Sequence, residues 1–166
     1  MYKKIKPRLS NQEWFFEDYQ VDTFIEIGPV YVEKDELIEF ALRYDPQPMH
    51  IDSEYASKGP YKGLIASGWQ TCALVMRELV KNYFSPSSSL GSPGIDELQW
   101  LKPVRPEDRL TVRATILETK LSLSKPDRGL VRTFVEALNQ QQEKVVSFKA
   151  LNFMLRRKFY SEKTLN

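Results

Sequence analysis

Tyr44–Gln70 reads YDPQPMHIDSEYASKGPYKGLIASGWQ, and the rest of the chain is organised around it. It holds the one histidine, His50, with Asp45 and Asp52 close by. Pro46 disfavours the α conformation at the residue before it, so a helix entering the stretch must stop at Tyr44 or Asp45. Pro48 fixes a second φ, and Asp45–Ile51 is expected to be an ordered loop. Asp52 is placed to cap a short helix over Ser53–Ser57. Gly59-Pro60 marks a turn over Lys58–Lys62. The stretch ends in Ser67-Gly68, at the start of a long helix.

That helix is expected from about Ser67 to Tyr83, with Leu74, Val75, Leu79 and Val80 as its apolar stripe and Cys72 and Ala73 small enough for close packing. At 1.5 Å rise per residue it is roughly 25 Å long, the longest element of the chain. Ser85–Pro93 is a loop. From there the chain is almost all strand: Gly94–Leu101, Arg109–Lys120, Leu130–Asn139 and Val145–Arg156 alternate. In Arg109–Lys120, Leu110, Val112, Ala114 and Ile116 share one face. Lys102–Glu107 is a connection and Leu121–Arg128 a polar turn.

Upstream, Glu33–Tyr44 places Leu37, Phe40, Ala41 and Tyr44 at helical spacing, with acids in the first turn where the helix dipole favours them. Thr23–Val32 is β-branched and aromatic, with Gly28-Pro29 marking a bend or edge interruption. Met1–Tyr19 has no period and reads as an arm on the domain surface. Its Trp14, Phe15 and Phe16 are expected to cover an edge of the core or a partner subunit. One strand, short helices, one long helix and four consecutive strands predict an α+β layer. The helix should lie across the buried face of an antiparallel sheet.

Composition narrows the function. With 166 residues the chain is read as one domain able to bury its own core. Twenty-four basic against 22 acidic side chains leave a net charge of +2, which argues against a nucleic-acid partner. The single cysteine, Cys72, excludes an intramolecular disulfide and a cysteine-cluster metal site, and it suits a reducing compartment. No apolar run approaches the roughly 18 residues of a membrane span, and the N-terminus lacks the apolar segment of a secretory signal. The expectation is a soluble cytoplasmic protein with no membrane partner.

With that pattern in hand, Asp45-Pro46-Gln47-Pro48-Met49-His50-Ile51-Asp52 resembles the D-x-N-P-x-H-x-D motif of the MaoC-like dehydratase family, which includes the R-specific enoyl-CoA hydratases. Gly63-Leu64-Ile65-Ala66-Ser67-Gly68-Trp69 is similar to that family's G-x-I-x-H-G-M run. The resemblance covers about Asp22 to Met154. It implies a single hot-dog domain, a long central helix wrapped by a curved antiparallel sheet, over 21–158. An arm (1–20) and a C-terminal tail (159–166) flank it. It also implies a homodimer or dimer of dimers, and open sheet edges argue for the same pairing on physical grounds. Three positions depart from the pattern: Gln47 for the usual asparagine, Ser67 for histidine and Trp69 for methionine.

The resemblance implies hydration of an enoyl-CoA to a 3-hydroxyacyl-CoA, or the reverse dehydration. That chemistry needs a base on the attacking water and donors for the charge that grows on the thioester oxygen. Asp45 is expected to take the water's proton while His50 orients the water and shares the proton traffic. Gly68 N–H, at the helix start, is the candidate oxyanion donor, although Ser67 is itself a good cap and Gly68 has a purely structural reading. Gln47, Ile65, Ala66, Ser67 and Trp69 are the expected substrate-binding residues, with Trp69 as a pocket or core wall. Coenzyme A is part of the substrate, and no separate cofactor or metal is required.

Blander readings apply elsewhere. Asp52 is better read as a cap, Cys72 as a packing residue, and Arg156-Arg157-Lys158 as a solvated strand end. Lys62, Lys102 and Arg105 are candidates for the coenzyme's phosphates. Two rival functions remain. A hot-dog thioesterase wants a carboxylate on or near the long helix, where only Glu78 is available, far from the start. A non-catalytic acyl-thioester-binding subunit is motivated by the changes at Ser67 and Trp69.

Overall fold

The computed structural model describes residues 1–163. Strands β1 (Lys3–Lys4), β2 (Thr23–Tyr31), β3 (Gly94–Trp100), β4 (Arg109–Leu121), β5 (Arg128–Leu138) and β6 (Lys144–Leu155) form a six-stranded sheet in the order β1-β2-β4-β5-β6-β3. Every neighbouring pair is antiparallel except β1 with β2. Helices α1 (Lys34–Tyr44), α2 (Pro48–Ile51), α3 (Ser53–Lys58) and α4 (Gly68–Asn82) lie between β2 and β3, and α5 (Arg157–Lys163) follows β6. This is the expected α+β hot-dog arrangement, with α4 packed on the buried face of the curved sheet.

The alternation in β4 does what its period demands. Leu110, Val112, Ala114 and Ile116 are buried and meet Leu74, Val75 and Leu79 of α4 in one core. Full burial of each large aliphatic contributes about 1.5–3 kcal/mol. A register shift between Ile116 and Glu118 then ends the alternation, the mark of a bulge that bends the strand. A second shift, between Ile27 and Val30, falls at Gly28-Pro29.

Several expectations are corrected. Val80 is 51% exposed, because one hundred degrees per residue carries it about 140° round the helix from Val75. It shares an outward face with Trp69 and Met76, beside the open edge strand β3, which exposes Ile95 and Trp100 and buries neither face. Tyr44 is exposed to solvent, its ring tilted against Phe40 with centroids 5.0 Å apart. Asp45–Ile51 is not all loop: Pro48 opens the single turn of α2, a position that needs no N–H and suits its φ.

The arm is woven in rather than laid on. Lys3–Lys4 extend the sheet, and Phe15 and Tyr19 are buried. Tyr19 sets its ring edge-on to Tyr83, with centroids 5.2 Å apart, and donates its hydroxyl to the Tyr83 carbonyl at 3.0 Å. Aromatic rings of this size bury too much apolar area to rest on a surface. Nor is Arg156-Arg157-Lys158 a solvated strand end: Arg156 pairs with Glu17 at 3.4 Å and Arg157 with Asp18, tying α5 back to the arm. Of the expected tail, 164–166 lie outside the described residues. Among the described residues, no helix is long and apolar enough to cross a membrane.

Candidate active site

Helix α1 stops where Pro46 requires it. Asp45 N–H makes the last helical bond, to Ala41 at 2.9 Å, and Asp45 itself leaves the helical conformation. Gln47 then precedes the α2 turn, which carries His50 inward to 4% exposure. The five-residue spacing therefore turns both side chains toward one point, with His50 Nε2 3.4 Å from Asp45 Oδ2.

The surroundings set the chemistry of the pair. His50 Nδ1 lies 2.8 Å from the Ile65 carbonyl oxygen, which can only accept. The proton is therefore on Nδ1, which turns the other ring nitrogen, Nε2, toward Asp45. Gln47 Nε2 donates to Asp45 Oδ1 and Ser67 Oγ donates to Asp45 Oδ2, each at 2.7 Å. Donation from Ser67 and then Gln47, with a smaller contribution from His50, holds the Asp45 carboxyl below its usual value.

Ser67 is fully buried and caps α4, its Oγ accepting the Trp69 N–H at 3.3 Å. Gly68, the first residue of α4, keeps its N–H free of protein acceptors among the described residues. A Cβ on Gly68 would come within 2.5 Å of the Trp100 ring. Glycine is thus required here by a packed indole as well as by any ligand, a constraint the sequence reading missed.

These elements enclose a cavity of about 410 Å³. Asp45, Gln47, His50, Ile65, Ala66, Gly68 and Trp69 line it, so the structure brings most of the expected site residues together. Ser67 is the exception: it sits behind Asp45 and not on the wall. Met49, Tyr61, Thr71, Trp100, Leu101, Pro103 and Val104 complete the lining and were not anticipated, beside Lys102, which was. Trp69 and Trp100 meet edge to face at 5.3 Å and stay 58% and 47% exposed, leaving that flank of the cavity open.

The remaining candidates sort as follows. Asp52 caps α3, accepting from Glu54 N–H and Tyr55 N–H at 2.9 and 3.0 Å. Cys72 packs against the core, and burial pushes its thiol up. Lys102 lines the cavity but is committed to Glu143 at 2.6 Å, and Arg105 donates to the Tyr61 carbonyl at 2.6 Å. Lys62 is not on the wall. Among the described residues, no group of three metal-ligating side chains forms.

Such a site can hold a small polar molecule between a carboxylate and an imidazole nitrogen, facing the positive end of a helix. Among solved structures, the chain is similar to a MaoC-like dehydratase from Rhodospirillum rubrum at 37% identity, over 87% of this chain and 98% of that one, with a TM-score of 0.80. It is similar to the R-hydratase PhaJ1 from Pseudomonas aeruginosa at 26% identity, over 86% and 85%, with a TM-score of 0.70. The uncharacterized protein YdeM of Bacillus subtilis (strain 168) is 29% identical over 129 residues, 78% of this chain and 90% of YdeM. Residues 19–137 match the family described as MaoC like domain, and the chain belongs to that family.

Proposed function

We propose that the protein is a hydro-lyase acting on acyl-CoA thioesters, adding water to an enoyl-CoA to form a 3-hydroxyacyl-CoA, or running the reverse dehydration. The observation that carries this reading is the Asp45–His50 pair, 3.4 Å apart on the wall of a cavity that also holds the free N–H of Gly68. A water seated between Oδ2 and Nε2 is polarised by both. As its oxygen attacks the β-carbon, one proton passes to His50 Nε2, and the alkene electron pair moves onto the thioester oxygen. Gly68 N–H and the helix dipole stabilise that oxygen. The enolate then collapses, and the imidazolium returns its proton to the α-carbon, so one water has been added.

This division reverses the one expected from sequence. Asp45 Oδ2 already accepts from Ser67, whereas His50 Nε2 has no hydrogen-bond donor against it and its Nδ1 is fixed by the Ile65 carbonyl, which supports giving the base role to His50. Asp45 then holds the water and stabilises the imidazolium. Gln47, Ile65, Ala66 and Trp69 are proposed to wall the acyl group, and coenzyme A belongs to the substrate. A homodimer joined across the β3 edge and the outer face of α4 would close the flank left open at Trp69 and Trp100. A reducing, cytoplasmic setting fits free Cys72.

The test is loss of enoyl absorbance with a panel of enoyl-CoAs. Turnover that disappears in Asp45→Asn and His50→Ala supports the reading, and full activity in both variants sinks it. A second reading, a non-catalytic acyl-thioester-binding subunit, is favoured by the Trp100 ring packed on Gly68, which narrows the approach to the helix start. It predicts acyl-CoA binding without turnover. The geometry gives thioesterase chemistry no comparable support: Glu78 is ten residues along α4 from Gly68 and pairs with Lys81 at 3.1 Å.

A further inference from the structure

We infer that Ser67 is a positioning residue whose one hydroxyl makes the Asp45 carboxylate and the start of α4 a single rigid unit. The inference rests on the hydration reading for its catalytic meaning, but the contact itself is structural. A capping serine exposed to solvent accepts from the helix and gives its own proton to water. Ser67 is fully buried and has another acceptor in reach. It donates across 22 residues to Asp45 Oδ2 at 2.7 Å and accepts the Trp69 N–H at 3.3 Å. Its carbonyl accepts from Thr71 N–H at 3.0 Å and Thr71 Oγ1 at 3.3 Å, so the same residue also fixes a cavity-wall side chain.

The residue type follows from these demands. Alanine supplies neither the donor nor the cap. Aspartate would cap the helix but place a second carboxylate against Asp45. Glycine caps tolerably yet has no proton to donate. With Gln47 holding Oδ1, the Ser67 hydroxyl fixes the plane of the carboxylate and leaves Oδ2 turned to His50. Ser67 stands where the related motif carries histidine, and the structure assigns the change to orientation of the acid rather than to contact with the acyl group.

The groups facing Asp45 are few. His50 is the titratable side chain against it, and Tyr61 and Lys102 line the same cavity, Lys102 held by Glu143. Loss of the Ser67 hydroxyl therefore has one expected direction: the Asp45 carboxyl titrates higher.

The experiment compares wild type, Ser67→Gly, Ser67→Ala and Ser67→Thr by two readouts. The first is the pH profile of enoyl-CoA hydration. In Ser67→Gly, a residue well tolerated at a cap position although the side-chain bond is gone, kcat falls about tenfold with KM within roughly threefold, as loosened geometry at a reacting centre predicts. Its acid limb moves to higher pH. Ser67→Ala shows the same limb shift with an added loss of thermal stability, and Ser67→Thr restores the limb. The second readout is a carbon-13 NMR titration of the Asp45 carboxyl, which needs no turnover. It moves up in the glycine and alanine variants and returns in the threonine variant. If no enoyl-CoA turns over in the wild type but the titration moves, the hydration reading fails and the Ser67 tie stands. An acid limb and an Asp45 titration that both stay put in Ser67→Gly, with only stability altered in Ser67→Ala, overturn the inference.

Discussion

The two ends of α4 are finished differently. At the C-terminal end the carbonyls of Val80 and Lys81 accept from Arg8 Nη2 at 3.3 and 3.0 Å, and Asn82 O accepts the Arg8 N–H at 2.7 Å. Arg8 Nη1 also donates to Leu9 O and Gln12 O at 3.0 and 2.9 Å, folding the arm around the same cation, which is only 5% exposed. A buried guanidinium answers both the orphan carbonyls and the negative end of the dipole. At the N-terminal end one serine caps one N–H, the Gly68 N–H is left over, and a cavity lies beside it. The closed end serves stability, and the open end keeps a polar group in reserve where a ligand can use it.

The widest separation between the ends should appear on removing the pair at the open one. His50→Ala and Asp45→Asn are each expected to lower enoyl-CoA turnover about a thousandfold, the usual worth of a positioned acid or base. Their melting temperatures should move by only a few degrees. Arg8→Ala is the converse. Stripping a buried cation from four carbonyls should cost about 3 kcal/mol of stability in urea unfolding, with kcat within roughly twofold. An Arg8→Ala protein that is as stable as the parent would break the comparison.

A smaller effect sharpens it. Gly68→Ala keeps the N–H but drives a methyl into the Trp100 ring, and an about tenfold loss of turnover is expected from the displaced geometry. In a double-mutant cycle Trp100→Ala should restore part of that loss, because the two residues share one contact. Additive losses would show that the indole is not what constrains Gly68.

The smallest expected effect is on stability against pH. The folded-state Asp45 carboxyl is held below its usual value by Ser67 and Gln47. Its ionised form therefore contributes stability that is full above the unfolded value and is lost as pH falls through the depressed one. Asp45→Asn lacks that contribution. The gap in melting temperature between wild type and Asp45→Asn should be complete at neutral pH and close as the pH drops below about 4. A gap that widens in acid would contradict the hydrogen-bond assignment.

How far the sequence could be read differs between the same two ends. Asp45 and His50 were legible because five residues and two prolines fix their relation locally, and Asp52 because a cap is a local device. The strand faces of β4 followed from a period of two. Trp100 was not legible. It reaches Gly68 only because β3 pairs with β6 and lies at the sheet edge beside α4, an order no single strand's pattern encodes. Arg8 was hidden for the same reason, since its partners are 72 and 73 residues away. Val80 failed for a different one: an apolar residue reads the same whether it faces this chain's core or an outer surface.

The indole contact at the open end also gives the site an optical signature of its own. Trp69 and Trp100 stand edge to face at 5.3 Å on the cavity wall, while Trp14 belongs to the arm and packs on Tyr19 and Tyr83. Two indoles at that separation couple their transition dipoles, and any ligand that turns one against the other changes that coupling. A ligand that enters beside Gly68 is therefore expected to change the near-ultraviolet circular dichroism, without an introduced label and without waiting for a product.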